Sequence, residues 1–538
     1  MKKMPEKKSD KKSNRSRSDE KKLKKTSKKP AKKPTARKSR KSEELYDDAI
    51  YEEELDIRDS DGAERPRNAR KKSHNKSILF ITYTFVFIFL CMIAYIVKFV
   101  VVDSEHRINS PYNKRQDLLA EKIVRGDILS SDGKVLATTV TNSDGTESRN
   151  YPYSRLFCHV VGRMDNSRTG LELSEGFSML RSTTNPLQKL VNDFEGKKSI
   201  GDNCFTTLNY ELQQTAYDAL GSYKGAIVAM EPKTGKILCM ISKPDYDPNT
   251  VSENWETLNS ADEQESALLN RATQGLYPPG STFKILTALE YMQEYERFNQ
   301  YTYTCNGTAN FHGYAMKCFN GEVHGEVDLT DSMAHSCNNS FANIGLSLDI
   351  KKFSATCEKF GYNKSIPFNF EYNKSSFALD KDSKTDEIIQ TAIGQGETLV
   401  TPLQNLMVIS TIANNGEMML PQLVDHTENT NGKILNEYEE ESLGQKCKRK
   451  YTRKMKEYLE AVVEYGTATS IKGHTYGIAG KTGSAEIDST GKSHAWFVGY
   501  APAENPKIAV SIVVEGAGTG SQYAVPIAAR MFENYLGY

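Results

Sequence analysis

The order of apolar segments predicts an α/β (α+β) sandwich: an antiparallel sheet, completed when the chain returns to it, with helices packed over it. Three observations carry this prediction. A hairpin signal, Gly225–Met230 and Lys236–Ile241 around the turn Pro232-Lys233-Thr234-Gly235, opens the main domain. A mostly helical middle follows. Three strand-like runs, Gly477–Ile487, His494–Ala501 and Lys507–Val514, then precede a last helical pattern.

A chain of 538 residues exceeds one small core, so several domains plus non-globular sequence are expected. The formal net charge of +1 hides a strong asymmetry. Lys2 to Lys41 is dense in Lys and Arg without apolar periodicity, and an acidic stretch from Glu43 to Asp61 follows. A second basic cluster (Arg65, Arg67, Arg70, Lys71, Lys72, Lys76) abuts Ile78–Val97, an apolar run of bilayer-spanning length. The run has no polar face, as a core helix would, and no small-residue cleavage site follows it, as in a signal peptide. It reads as a permanent single-pass anchor. The positive-inside rule keeps the basic tail cytoplasmic and sends everything after Asp103 outside. The tail then reads as a solvated arm near anionic lipid, or as a docking segment through Tyr46–Leu55, rather than as a nucleic-acid binder. Expected domains are a disordered tail (1–76), a transmembrane helix (77–102), a small membrane-proximal domain (103–205) and a catalytic domain (206–538).

Nine cysteines are scattered without a C-x-x-C pair. No Cys/His cluster has the usual zinc spacing, so neither a metal nor any other cofactor is expected. Cys305 and Cys318 flank a short loop carrying Gly307 and Gly313, which leaves a bridge between them open.

Within the membrane-proximal domain, Arg125–Leu129 and Val135–Ala137 flank Ser131-Asp132-Gly133, a hairpin signal. Tyr151 to Gly162 reads as a further short strand after a turn. In the main domain, Glu211–Leu220 has helical spacing. The candidate helices of the middle are Asp328–Met333, Phe341–Leu348, Ile388–Thr391 and Pro402–Ile412. Pro526–Leu536 reads as a closing helix with proline in its first turn.

The chemistry is concentrated at Tyr277-Pro278-Pro279-Gly280-Ser281-Thr282-Phe283-Lys284. Two prolines and a glycine stop the preceding element, and Ile285, Leu286, Leu289 and Met292 begin an apolar helical pattern. Ser281 therefore lies at a helix mouth, where unpaired N–H groups favour developing negative charge. Lys284 follows one turn later, and a serine beside a lysine base is one way to make a hydroxyl nucleophilic. The spacing alone is unspecific, since Ser9/Lys12, Ser18/Lys21 and Ser131/Lys134 share it. Two later triplets single out Ser281: Ser336-Cys337-Asn338, and Lys481-Thr482-Gly483 on a predicted strand.

This ordered set resembles the signature of the penicillin-recognising acyltransferases, and the chain is similar to the class B penicillin-binding proteins. The likeness extends to Asn270-Arg271-Ala272, Pro244–Asn249, Gly394-Gln395-Gly396, Thr401–Gln404, His494–Tyr500 and the membrane-proximal Arg125–Ala137. It implies the fold of that family, a five-stranded antiparallel sheet with helices on both faces, behind a membrane anchor and pedestal. It also implies a peptidoglycan D,D-transpeptidase of the bacterial plasma membrane, acting on stem peptides during growth or division and inhibited by β-lactams. On this reading Ser281 is the acyl-accepting nucleophile and Lys284 its base, whose pKa Lys481 would depress. Ser336 relays a proton, Asn338 holds the substrate backbone or Lys284, and Lys481 with Thr482 binds the terminal carboxylate. Gly483 permits close approach, and the Ser281 and Ser484 N–H groups form the oxyanion hole. Cys337, the histidines at 324, 335 and 494, and Trp496 read as packing or loop-orienting residues. The implied partners are a polytopic lipid-II glycan polymerase and divisome or elongation proteins.

Other readings fit less well. A phosphate-binding loop at Gly480-Lys481-Thr482 fails because position 475 is threonine where glycine is needed. A β-lactamase would need a group to activate deacylating water, and a sensor would need an effector module. A bifunctional enzyme would need more residues between anchor and transpeptidase. A purely structural scaffold would not need three intact motifs.

Overall fold

Strand sequences that are apolar without alternation demand cover on both sheet faces. In the computed structural model, which describes residues 74–100, 115–183, 185–260, 265–487 and 492–537, this demand is met. Every residue of Gly225–Met230, Ile237–Lys243 and Ile508–Val514 is buried. They join Ala479–Glu486 and Ser493–Ala501 in a five-stranded sheet. The order is Ala479–Glu486, Ser493–Ala501, Ile508–Val514, Gly225–Met230, Ile237–Lys243, with every pair antiparallel. The amino-terminal hairpin thus sits at one edge, and the last three strands complete the sheet by chain return.

Pro402–Ala413, a helix whose residues are all buried, packs on the sheet and on Arg449–Glu464. Tyr210–Leu220 and Gly520–Leu536 pack on the sheet and on each other. The helical middle forms at Leu329–Ala334, Asn338–Ser347, Ile350–Lys359 and Thr385–Ile393. Several are capped by their own sequence: Asp328 accepts from Asp331 N, and Thr401 accepts from Gln404 N.

A second, six-stranded sheet combines Ile128–Leu129, Val135–Thr141, Glu147–Asn150 and Asn203–Thr206 with Val424–Glu428 and Ile434–Glu437. The last two come from beyond position 206, so this sheet crosses the boundary drawn from the sequence. Only tertiary pairing supplies that hairpin, Val424 lying opposite Thr206.

Two expected elements differ. Tyr151–Gly162 is not a strand but a 3₁₀ turn, Ser154–Leu156, and a short helix, Cys158–Val161. Leu156, Phe157, Val160 and Val161 are all buried, and a short run buried all round carries no period that distinguishes helix from strand. The closing helix begins at Gly520 rather than Pro526. Pro526 is tolerated inside it because both Pro526 and Gln522, whose carbonyl loses its i+4 donor, are exposed.

His74–Lys98 forms one helix, and its segment Ile78–Lys98 is long and apolar enough to cross a membrane. The tail expected to be disordered lies outside the described residues.

The hairpin near Arg125 is anchored by charge. Glu172, fully buried, accepts from Arg125 Nε at 2.7 Å and Arg149 Nε at 2.6 Å. Burial alone would raise the Glu172 pKa, but the Arg149 and Arg125 charges outweigh it and hold the carboxyl low. Removing one member strands buried charge. Glu172→Ala is therefore expected to lose about 3 to 5 kcal/mol of stability, read as a lowered thermal midpoint of the purified protein; an unchanged midpoint would show that the two arginines find other compensation.

Candidate active site

The local sequence bends the backbone before it places any catalytic group. Gly280 has φ +55°, in the left-handed region, and begins a 3₁₀ turn, Gly280–Phe283, that carries Ser281 into the helix Lys284–Glu294. Gly280 N donates to Gly394 O at 2.8 Å, and a Cβ on Gly394 would stand 1.8 Å from Gly280 O. Gly394, itself at φ +86°, caps Thr385–Ile393, so the Gly394-Gln395-Gly396 segment is the turn expected, pressed against the backbone before Ser281. Upstream, Tyr277 pairs with Val400 through both backbone groups, and its hydroxyl donates to Glu515 Oε1 at 2.7 Å. Arg271 Nε donates to the same oxygen at 2.8 Å, and Trp496 Nε1 donates to Pro278 O at 3.1 Å.

Lys284 is fully buried. Its Nζ donates to Ser336 O at 2.8 Å, Asn338 Oδ1 at 2.8 Å and Ser336 Oγ at 3.2 Å. Ser336, at φ +54°, makes the sharp turn that presents both its oxygens. Asn338 is aimed by a second bond, Nδ2 donating to Lys317 O at 3.2 Å. Burial lowers the Lys284 pKa to about 8. Desolvation is the first cause. Lys481, fully buried and with Nζ donating to Thr482 O at 3.1 Å, is itself lowered by burial and then by the Lys284 charge, a repulsion between the two amines that is mutual.

Lys481, Thr482, Gly483 and Ser484 lie on the edge strand Ala479–Glu486, packed against the Gly280–Phe283 turn. A Cβ on Gly483 would meet Trp496 Cβ at 3.0 Å and Thr282 Cγ2 at 3.2 Å, which explains the glycine. A Cβ on Gly280 would lie 3.0 Å from the Ser484 carbonyl, so the backbone just before Ser281 abuts that of Ser484. Thr482 Oγ1 meets Thr467 Oγ1 at 2.5 Å, and Gln395 Nε2 donates to Ser484 O at 3.3 Å. The arrangement brings the three motifs to one place: a turn serine, a buried amine of lowered pKa, the Ser336 hydroxyl, and a strand edge that carries a second buried amine.

Sequence reasoning missed Thr467, Asn405, which donates to Thr282 Oγ1 at 3.1 Å, and Glu515. Glu515 alone left a signal, an acid directly after the apolar strand Ile508–Val514. The bridge left open between Cys305 and Cys318 is not formed: the sulfurs are 3.6 Å apart and both cysteines are free. A cluster that no spacing rule linked also forms. Cys305, Cys318, His324 and Cys337 converge, with one donor atom from each within 4.8 Å of the others.

Residues 225–535 match the family model described as the penicillin binding protein transpeptidase domain. The chain is 32% identical to the peptidoglycan D,D-transpeptidase PbpA of Mycolicibacterium smegmatis, across 78% of this chain and 90% of that one. Among solved structures, the D,D-transpeptidase domain of a peptidoglycan glycosyltransferase from Eggerthella lenta aligns with a TM-score of 0.69 and 31% identity, covering 77% of this chain and 98% of that one. The penicillin G acyl-enzyme complex of penicillin-binding protein A from M. tuberculosis aligns with a TM-score of 0.70 and 28% identity, covering 77% and 100%. With the three motifs assembled on one sheet edge and the family model spanning more than half its length, the chain belongs to the penicillin-binding protein transpeptidases.

Proposed function

We propose that this protein is a membrane-anchored peptidoglycan D,D-transpeptidase that cross-links stem peptides through an acyl-enzyme on Ser281. The observation that carries the reading is the Lys284 amine, buried one turn after Ser281 and held by Ser336 and Asn338.

Ser281 Oγ attacks the carbonyl of the penultimate D-alanine while Lys284 accepts its proton. Of the three Lys284 partners, two are acceptors only. The Ser336 hydroxyl, at the longest distance, is the one that can reverse and donate once the amine is neutral. Ser336 is thus the route by which a proton returns to the leaving D-alanine amine. The C–N bond breaks, D-alanine departs, and the ester waits for the amine of a second stem peptide. Lys481 and Thr482 bind the terminal carboxylate, with Gly483 letting it approach. The Ser281 and Ser484 N–H groups hold the oxyanion. β-Lactams acylate Ser281 by the same first step, in keeping with the solved acyl-enzyme of penicillin-binding protein A.

The division into tail (1–76), anchor (77–102), pedestal (103–205) and catalytic domain (206–538) belongs to this proposal, with the pedestal sheet enlarged by the 424–437 hairpin. So does the orientation with the basic tail cytoplasmic and the catalytic domain outside. A polytopic lipid-II glycan polymerase and divisome or elongation proteins are the proposed partners, met through the anchor and pedestal.

Fluorescent penicillin is expected to label the full-length, detergent-solubilised protein and not Ser281→Ala. Persistent labelling of the variant would remove Ser281 as nucleophile, and rapid loss of label from wild type would indicate a β-lactamase. The acylation rate is expected to rise with pH and level off above about 8, because the base acts only when neutral and is protonated below its pKa. Lys284→Ala should abolish that titration and slow acylation by about 10²- to 10⁴-fold, measured by stopped-flow with a chromogenic β-lactam.

A further inference from the structure

A surface helix ordinarily turns its apolar stripe to the core and its polar residues to water. Pro186–Glu195, in the membrane-proximal domain, does the reverse. Asn185 caps its start, the side chain accepting from Leu187 N at 3.0 Å, and Gly196, at φ +65°, ends it. Leu187, Leu190, Val191 and Phe194 recur at helical spacing and form one stripe about 100° wide. They are 71%, 53%, 46% and 84% exposed, so the stripe faces water rather than the core. The opposite face is the one that meets the protein. There Lys189 Nζ donates to Ser182 O, and Asn192 Nδ2 donates to Ser199 Oγ at 3.4 Å. No residue of the helix is buried. Polar bonds thus orient the helix with its apolar side outward, as at a site that meets a partner or a membrane.

The helix's place in the chain indicates what covers the stripe. The long apolar helix ends at Lys98, and the described residues of the membrane-proximal domain begin at Arg115. The steps from 98 to 115 span at most about 60 Å, so the bilayer lies within reach of the domain's entry point. The stripe is built beside that entry. Ser199–Ile200, just after the helix, pairs in parallel with Ile123–Val124, and Lys198 Nζ donates to Ala120 O at 2.7 Å. Leu118 and Ile200, on these adjoining elements, are exposed too. Cations flank the stripe, Arg181 before the helix and Lys197 and Lys198 after it, against Asp193 and Glu195 within it. Lys197 pairs with Glu195 at 2.8 Å and Lys198 with Glu147 at 3.0 Å, both at the surface, where headgroups can compete for them. An apolar stripe flanked by long cationic side chains suits a helix lying in a bilayer interface.

We propose that Pro186–Glu195 is a second membrane contact, its apolar stripe lying in the lipid interface while anionic headgroups meet Arg181, Lys197 and Lys198. The proposal rests on the reading of Ile78–Lys98 as a membrane anchor. At about 15 Å the helix is too short to span a bilayer, so it lies in the plane of the surface. Four side chains bind lipid weakly by themselves, but the anchor makes this contact intramolecular, and weak affinity then suffices. A lipid surface also takes up the stripe without a complementary groove. The contact fixes which side of the membrane-proximal domain faces the bilayer. The six-stranded sheet, which includes the 424–437 hairpin of the catalytic domain, carries that orientation onward.

The test uses the full-length protein reconstituted in vesicles of phosphatidylcholine and phosphatidylglycerol, with or without brominated acyl chains. Phe194→Trp adds an indole to the stripe in a chain with only two tryptophans. The added emission should shift to the blue and be largely lost in brominated lipid. The control Tyr223→Trp, at an exposed position of the catalytic domain, should emit equally in both lipids. Adding Leu187→Glu and Leu190→Glu to Phe194→Trp should restore the emission in brominated lipid, while the protein still floats with the vesicles through its anchor. Labelling by fluorescent penicillin should be unchanged in every variant, since the stripe lies outside the catalytic groups. Protein that floats with the vesicles while the Phe194→Trp emission ignores brominated lipid would overturn the inference and leave the anchor intact. A blue shift without lipid quenching, as from a second copy or another segment over the stripe, would overturn it too, as would quenching that survives the two glutamates. Protein that does not float would remove the anchor reading and this inference together. Lipid quenching in protein that penicillin fails to label would uphold the inference and remove the transpeptidase reading.

Discussion

An amine buried with only uncharged oxygens for company is costly to keep protonated, and that constraint shapes this protein's site. Lys284 has no exposed surface, and its polar partners are a carbonyl, an amide oxygen and a hydroxyl. The balance of desolvation against three hydrogen bonds leaves the amine near the neutral range rather than at the usual lysine value. Neighbouring structure serves that balance: the helix start that carries Lys284, the left-handed Ser336 turn, and the buried Lys481 on the facing strand.

Backbone contact sets the position of the Ser281 turn relative to that amine. Gly280 and Gly394 touch where no Cβ fits, and Gly483 is hemmed between Trp496 and Thr282. Such contacts tolerate little sliding, so the turn, the helix cap and the edge strand behave as one rigid piece. Glu515 ties this piece to the sheet by accepting from both Tyr277 and Arg271. A nucleophile held on rigid elements reacts without first paying for its own orientation.

Much of this was legible in the chain. The hairpin around Pro232–Gly235 and the three late strands read correctly because their strand-like lengths and flanking turn residues decide where period cannot. Ser281, Lys284, Ser336, Asn338 and Lys481 could be named because each motif stands on a recognisable turn or strand. Tyr151–Gly162 misled for the opposite reason, since burial on all sides erases the period that separates helix from strand. Pro526 misled because an exposed proline inside a helix resembles one at its start.

The sequence by itself determined the long apolar helix, the order of elements and the identity of the chemical groups, because these depend on residues close along the chain. Returning to the Ser281 turn and its lysine, tertiary structure decided what surrounds them. It showed that burial is the first cause of the lowered Lys284 pKa, and it set Lys481 close enough for the two amines to repel. It brought the 424–437 hairpin to strands more than two hundred residues earlier, and Glu515 to the turn before Ser281. It also gathered three cysteines and a histidine that no spacing rule links, since 13 and 19 residues separate Cys318 from its two sulfur neighbours. Convergence of this kind depends on how strands pair and helices pack, and no local pattern records it.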